Sequence, residues 1–252
     1  MRFASLGSGS KGNATLVQAG GTCLLIDNGF SLRETELRLQ RLGLAAEQLT
    51  AILVTHEHGD HLRGVGPLAR RYRLPVWATR GTAAHPGLGR MPALQLIDVH
   101  QPFVIRDIEI QAFPVPHDAR EPCQFVFDDG KARFGMLTDT GSCTAHIEAR
   151  LSGCDALLLE CNHDSTMLAE GPYPEVLKQR VGGRFGHLSN RQAGQLLATL
   201  DTSSLRYVVA AHLSEQNNTV GHARDALSDA LGCCHDEIDI ADQFDGLDWR
   251  EI

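Results

Sequence analysis

Three histidines and an aspartate fall within six residues in Ile52-Leu53-Val54-Thr55-His56-Glu57-His58-Gly59-Asp60-His61, directly after an apolar run. Imidazole nitrogens and carboxylate oxygens together are the donor set of zinc, manganese or iron, whereas calcium takes oxygen ligands. Ile52 to Thr55 reads as a buried strand, and Gly59 offers the freedom for a sharp turn. The run is therefore expected to be a metal-binding loop at a strand end. It is not the helical His-Glu-x-x-His zinc motif, because Asp60 stands four residues after His56 and a glycine interrupts the loop. Alternation along the loop is expected to send His56 and His58 to one ion and Asp60 and His61 to a second.

Other strand-like runs end on the same residue types. Cys23-Leu24-Leu25-Ile26 runs into Asp27, Pro114-Val115-Pro116 into His117, Phe134-Gly135-Met136-Leu137-Thr138 into Asp139, and the strand predicted over 205–211 into His212. A carboxylate such as Asp139 can bridge two ions. Each ion then has three or four protein donors and one side open to water, which is the arrangement of a catalytic site rather than a closed structural one. Alone, His117 reads as a surface or core histidine and Asp27 as a turn residue; the loop draws them in. His163 competes with His212 for the last donor position, and His212 is preferred because it ends a strand as the others do. Asp118 is a further candidate for contact with a ligand histidine.

The elements that must position these residues follow a β-rich, helical, β-rich, helical order. Strands are expected at 2–6, 15–19 and 22–27, separated by a Gly/Ser loop and the Gly20-Gly21 turn. A helix over 31–42 is signalled by Ser31 and Glu34 as a capping box and by Leu32, Leu39 and Leu42 on one side. Strand 50–55, helix 65–72 and strand 75–79 make a β-α-β unit with the histidine loop at a strand end. Strands at 94–99, 103–106, 108–114, 123–128 and 133–138 predict a second sheet. The last third alternates helix 144–152, strand 155–160, a loop and short helix through 180, helix 189–200, strand 205–211, helix 221–231 and strand 236–240, with Ser189 and Gln192 as a second capping box. No repeat or linker interrupts the chain, so residues 1–252 are expected to form one α/β domain, two mixed sheets face to face with helices outside.

Composition narrows the function classes. With 42% apolar and 21% charged residues, the 252-residue chain has the make-up of an ordinary globular protein. A net charge of −8 argues against a nonspecific nucleic-acid coat protein, since such binding depends on Lys and Arg against phosphates. Arg70-Arg71-Tyr72-Arg73 is the one visible basic cluster and reads as a solvated helix end. Seven cysteines, an odd number without a C-x-x-C pair, fit reduced core thiols in a cytosolic protein, with Cys161 worth following because of its neighbours. The N-terminal residues lack a signal-peptide core, and no stretch reaches the roughly 18 apolar residues of a membrane span. A cytoplasmic location and no membrane association are expected.

Taken in order, Asp27, Thr55-His56-x-His58-x-Asp60-His61, His117, Asp139 and His212 resemble the metallo-β-lactamase superfamily over essentially the whole chain. The resemblance implies a four-layer αβ/βα sandwich. It also implies a dinuclear site in which one metal takes His56, His58 and His117, the other takes Asp60, His61 and His212, and Asp139 bridges. Leu159-Glu160-Cys161-Asn162-His163-Asp164, Gly186-His187-Leu188-Ser189-Asn190 and Ala211-His212-Leu213-Ser214-Glu215-Gln216-Asn217-Asn218 are similar to the YycJ/WalJ group of small exonucleases, as is the opening Gly7-Ser8-Gly9-Ser10-Lys11-Gly12-Asn13. Cys161 departs mildly from a position that is usually small. On this resemblance His187 matches the histidine that touches the scissile phosphate in related phosphodiesterase nucleases, and Ser8, Ser10 and Asn13 join it as candidate substrate contacts. The place of His187 just before a helix N-terminus also suits an anion.

The expected chemistry is hydrolysis of a phosphodiester, with nucleic acid, and DNA above all, as substrate. Two divalent ions (zinc, manganese or iron) about 3.5–4 Å apart would lower the pKa of a shared water, making hydroxide the nucleophile. Asp60, His187 and Asp27 are the residues expected closest to the reaction: Asp60 on the second metal, His187 stabilising charge and protonating the leaving oxygen, Asp27 orienting a ligand histidine. A small phosphodiesterase acting on cyclic or other nucleotides is the main alternative. A β-lactamase would be expected to replace part of the second site with cysteine and to lack Asp139. A glyoxalase-II-like thioesterase would add a helical C-terminal domain, and forty residues follow His212. A processing nuclease would need an inserted domain between Asp139 and His212, and a metal-binding protein that had lost the reaction would not be expected to keep every ligand.

Overall fold

Thr22–Ile26 and Ala51–Leu53 are buried along their whole length, which a strand tolerates only when both of its faces are covered. The computed structural model, which describes residues 1–252, covers them with a second sheet on one side and helices on the other. The strands are β1 (Arg2–Gly7), β2 (Ala14–Ala19), β3 (Thr22–Ile26), β4 (Ala51–Leu53), β5 (Pro75–Ala78), β6 (Ala93–Leu96), β7 (Phe103–Ile105), β8 (Ile108–Pro114), β9 (Cys123–Asp128), β10 (Arg133–Leu137), β11 (Ala156–Glu160), β12 (Tyr207–Ala211), β13 (Ile238–Ile240) and β14 (Leu247–Glu251). They form two seven-stranded mixed sheets, ordered β14-β1-β2-β3-β4-β5-β6 and β13-β12-β11-β10-β9-β8-β7. The helices are α1 (Leu32–Arg41), α2 (Gly59–Leu62), α3 (Val65–Tyr72), α4 (Arg80–Ala83), α5 (Ala145–Leu151), α6 (Ser165–Glu170), α7 (Glu175–Val181), α8 (Asn190–Thr199) and α9 (Val220–Leu231).

Alternation along the strands sorts side chains between layers. In β3, Leu24 and Ile26 enter the core between the sheets, while Cys23 and Leu25 join Leu39 of α1 and Leu68 of α3 on the outer face. The second sheet repeats the arrangement, with Leu158 facing inward and Leu157 and Leu159 packing under Ile147 of α5, Leu197 of α8 and Leu227 of α9. The layers are therefore helix, sheet, sheet, helix, as expected. Phe3 of β1 and Phe134 of β10 join the sheets by stacking, with centroids 4.3 Å apart and planes 15° from parallel. Within the sheets β3 to β6 run parallel, as do β10 to β13, so the C-terminal ends of each set lie along one edge.

Two expectations need correction and one strand is unexpected. The strand expected at 94–99 as part of the second sheet is β6, which pairs parallel with β5 and closes the edge of the first sheet. Its four residues are exposed, so its apolar leucines reflect an edge strand and not a core one. Ser31 caps α1 by accepting from the Glu34 amide, but no reciprocal box forms, because the Glu34 carboxylate is drawn to Arg38 Nε at 2.6 Å. Leu247–Glu251, which carries no clear strand signal in the sequence, pairs with β1; its half-buried Trp249 lies under Arg2 at 4.2 Å. All seven cysteines are free, as expected, and Cys161 is buried in the outer core of the second sheet, where burial pushes its thiol pKa up and leaves it unreactive.

The inter-sheet stack generates a stability test. Phe134→Ala should lower unfolding free energy in urea by about 3–5 kcal/mol through transfer and cavity terms, and Phe134→Leu by less than half of that. Equal, small effects of both would show that the stack is not what couples the sheets.

Candidate metal centre

Strand ends deliver most of the site. Asp27 follows β3, Asp139 lies just beyond β10 and His212 follows β12, and all three have left-handed backbone, with φ of 60°, 50° and 56°. Such a conformation costs a non-glycine residue about 1–3 kcal/mol and persists only where surrounding packing enforces it. Here it turns each side chain across the sheet edge at the point where the apolar strand stops. The histidine loop works differently from the expected alternation. His58 is extended and stands at the N-cap of α2, so Asp60 and His61 lie on a helical turn. Nor does the turn depend on Gly59, which has open space beside it and ordinary φ. Gly29 and Gly64 are the constrained glycines: a Cβ on either would collide with the backbone carbonyl of Asp60 or Phe30.

The side chains converge in overlapping sets. One donor atom each from His56, His58 and His117 lie within 4.8 Å of one another, and the same holds for Asp60, His61 and His212, for His56, His61 and Asp139, and for Asp139, Glu160, His187 and His212. Asp139 joins them, with Oδ2 3.0 Å from His61 Nε2 and Oδ1 3.3 Å from His212 Nδ1 and 4.0 Å from His117 Nε2.

Bonds behind the rings decide which nitrogen faces inward. His61 Nδ1 donates to Asp27 Oδ2 at 2.8 Å, and His117 Nδ1 donates to the Gly186 carbonyl at 3.0 Å. The Thr55 hydroxyl gives its one proton to Asp27 Oδ2 at 2.7 Å, so at 3.0 Å it accepts from His56 Nδ1. His212 Nδ1 lies 3.3 Å from Glu160 Oε1. Each Nδ1–H so engaged leaves Nε2 as a lone pair. His56 Nε2, His212 Nε2 and Asp139 Oδ2 are buried with no hydrogen-bond partner, and His61 Nε2 lies 3.0 Å from Asp139 Oδ2. Inward-facing imidazole nitrogens around a buried carboxylate need positive charge among them, as protons on the rings or as cations held between them. The donors present therefore fit divalent metal ions.

The same electrostatics governs protons. Burial opposes charge on His61, but the carboxylates of Asp139, Asp60 and Asp27 outweigh it and raise its pKa well above the ordinary value. Burial is likewise outweighed at His212, which Asp139, Asp60 and Glu160 raise to about 10. Burial would raise Asp139, yet His212 and His61 hold it well below the usual carboxylate range. His56, away from most of the acids, is lowered by burial and by His61.

A cavity of about 340 Å³ opens beside these sets, lined by Ser10, His58, Asp60, Asp139, His187 and His212 and overhung by Tyr173, Leu177 and Arg180. Of the four candidate substrate contacts, Ser10 and His187 reach it. Ser8 and Asn13 do not: Ser8 Oγ accepts from the His212 amide at 2.9 Å, and Asn13 is spent on Gly9 and on Asp60 and His61. Asp27 is buried behind His61 and cannot touch substrate. His212, not His163, lies in a convergent set; His163 is buried beside Asn162. Asp118 lies 3.7 Å from His58 and 3.6 Å from His117, and Arg180 Nε grips it at 2.7 Å at the cavity mouth. His187 is oriented less by the helix that follows, whose N-terminus Ser189 and Gln192 cap reciprocally, than by Glu160 Oε1, 2.7 Å from its Nδ1.

Glu160 is the site residue that the sequence reading does not single out. It is fully buried, accepts from the amides of Thr140 and Leu188, and spans His187 and His212. A signal for it exists: Ala156–Glu160 is another apolar strand ending on an acid.

Two tests follow from the bonds behind the rings. Asp27→Asn keeps the shape but removes the charged acceptor of His61, so divalent-ion affinity measured by chelator competition should fall about 10–100-fold; unchanged affinity would separate ring orientation from Asp27. For His163, burial lowers the pKa from 6.5 to about 4. The folded state thus excludes a proton that the unfolded state binds, and the associated stability is complete above about pH 6.5 and lost as pH falls toward 4. In chelator, wild type should lose about 1–2 kcal/mol more than His163→Gln between pH 8 and pH 5, read from urea midpoints; parallel curves would show that His163 is not buried neutral.

Comparison with known proteins agrees with this geometry. The family described as "Beta-lactamase superfamily domain" matches residues 22–212. The chain is 36% identical over 235 residues to an exodeoxyribonuclease YycJ of Bacillus anthracis, covering 92% of this chain and 89% of that one. It is 33% identical over 223 residues to an exodeoxyribonuclease WalJ of Streptococcus pneumoniae, covering 86% and 83%. Among solved structures, the metallo-β-lactamase fold protein YhfI of Bacillus subtilis superposes with a TM-score of 0.77 at 19% identity, over 100% of this chain and 99% of that one. A fold of two packed sheets, a histidine and carboxylate cluster at its strand ends, and relatives alike over most of their length establish that the chain belongs to the metallo-β-lactamase-fold superfamily of hydrolases, in its YycJ/WalJ-like branch.

Proposed function

We propose that residues 1–252 act as one metal-dependent phosphodiesterase domain of the nuclease type, hydrolysing DNA from an end in the cytoplasm. The observation that carries the reading is His187, held by Glu160 on the cavity side of the donor sets. Its support from relatives is that two proteins similar over most of the chain are named exodeoxyribonucleases. No helix is long and apolar enough to cross a membrane.

His56, His58 and His117 would hold one ion, Asp60, His61 and His212 a second, with Asp139 shared; zinc, manganese and iron all suit these donors. When bound, such ions supply a nucleophilic hydroxide at neutral pH and offset the charge of a phosphodiester. The chain's own residues do the rest. Asp27, Thr55, Gly186 and Glu160 keep the imidazole rings turned inward. Burial opposes charge on His187, but Glu160 at its Nδ1 and Asp139 outweigh it and raise its pKa, so the ring can carry a second proton on Nε2 and would donate it to an equatorial or leaving oxygen of the substrate. Ser10 at the rim contributes a hydroxyl to the same end of the cavity.

Protein loaded separately with zinc, manganese or iron and mixed with end-labelled single- and double-stranded DNA and with bis(p-nitrophenyl) phosphate tests the reading. Shortening of DNA from an end, abolished by chelator, is expected. His187→Ala should lower kcat by about 10²–10⁴ with metal content unchanged. Hydrolysis of the small diester alone would move the assignment to small-molecule diesters, and no hydrolysis with any of the metals would remove both.

A further inference from the structure

Lys178, Arg180 and Arg184 fall within seven residues, and residues 171–186 contain a single acid, Glu175, in a chain whose net charge is −8. This segment, α7 and the loop 182–186, overhangs the cavity through Tyr173, Leu177 and Arg180. The loop is pinned by its backbone. The His187 amide donates to the Val181 carbonyl at 2.8 Å, Gly186 N–H to Gly183 at 2.9 Å, and the Asp118 amide to the Phe185 carbonyl at 3.0 Å. Ser142 Oγ donates to the Arg184 carbonyl at 3.2 Å, and the Gly186 carbonyl receives the Nδ1–H of His117. Gly141 lets this backbone pack so closely that a Cβ there would strike Arg184, Phe185 and Gly186.

A backbone fixed at so many points sets the direction in which each side chain leaves the loop. Phe185 is nonetheless 58% exposed, and Arg184 beside it makes no ion pair, while Arg180 is held by Asp118 at the mouth. A rigidly presented aromatic face, flanked by one free and one exchangeable guanidinium and one residue from the cavity wall, has the composition of a site for unstacked bases and their phosphates. A duplex hides its base faces inside the stack, so the partner that fits is single-stranded.

We propose that loop 182–186 and the end of α7 are a platform for single-stranded nucleic acid, with a base stacked on Phe185 and phosphates held by Arg184 and by Arg180 once it leaves Asp118. The proposal rests on the phosphodiesterase reading above and names the strand form and the residues that recognise it.

Binding of a labelled single-stranded oligonucleotide, followed by anisotropy in chelator, tests the platform apart from turnover. Phe185→Ala should weaken binding roughly tenfold, Phe185→Tyr should retain it, and Phe185→Leu, apolar but not flat, should behave like alanine. Arg184→Ala should reduce the slope of log affinity against log salt by about one. All four metal-loaded variants should hydrolyse bis(p-nitrophenyl) phosphate as wild type does, which reports an intact site. If wild type binds the oligonucleotide and Phe185→Ala binds equally well, or if leucine restores affinity as fully as tyrosine, the platform is overturned while the nuclease reading stands. A change from dimer to monomer on sedimentation of Phe185→Ala, with oligonucleotide affinity unchanged, would overturn it in favour of contact with a second copy. A wild type that turns over the small diester but neither binds nor cuts DNA would overturn both.

Discussion

The buried carboxylate of Asp139 sets the terms for the rest of the structure. It is 2% exposed, has one oxygen without a hydrogen-bond partner, and lies against His61, His212 and His187 at 3.0, 3.3 and 3.4 Å. A carboxylate removed from water without a partner costs several kcal/mol. What offsets that cost must be positive and must sit among the rings, either as protons on the imidazoles or as cations between them. The bonds to Asp27, Thr55, Gly186 and Glu160 matter for this reason: by fixing Nδ1 they aim the Nε2 lone pairs at the same point from several directions.

Holding so many like-facing donors together requires a rigid frame, and the sandwich supplies one. Strands that are apolar on both faces stop at the sheet edge, where the first polar residue is free to turn toward the partner sheet. The left-handed backbone at Asp27, Asp139 and His212 is the strained part of that turn. It is held by the cores between and outside the sheets, whose residues lie one position before Asp27 and His212 and two before Asp139: Ile26, Ala211 and Leu137 are all completely buried. Packing and site are thus coupled through one or two peptide units, and the strain falls where side-chain direction matters most.

That coupling explains what is legible in the sequence. The strand ends can be read because hydrophobicity stops abruptly at an acid or a histidine, and that pattern alone places Asp27, His117, Asp139 and His212 at the sheet edge. Glu160 carries the same mark, but the more reactive types beside it, Cys161 and His163, draw attention away from it. The loop donors are legible by residue type, but their geometry is not: His56 and His58 follow the extended chain, whereas Asp60 and His61 sit on a helical turn whose signal is too short for periodicity to show. Ser8 and Asn13 look like surface residues of a Gly/Ser loop, yet their bonds to His212, Asp60 and His61 are long-range and leave no local trace. The edge strands β6 and β14 are hard to place for a related reason, since an edge strand needs only one buried face or none.

Charge illustrates the same limit. Counted over the chain, −8 speaks against nonspecific coating of nucleic acid, and the basic run that stands out, Arg70 to Arg73, ends a helix that packs on the outer face of the first sheet. The acids that contribute to the total include Asp27, Asp60, Asp139 and Glu160, which are turned toward the imidazole cluster and are balanced there by positive charge on its rings or by cations. Beside the cavity mouth stand instead Arg180, paired with Asp118, and Arg184, which makes no ion pair, on a segment with little acid of its own. The fold family fixes the hydrolytic core at the strand ends. The segment between β11 and α8 lies outside the two sheets and supplies one wall of the cavity through Tyr173, Leu177 and Arg180.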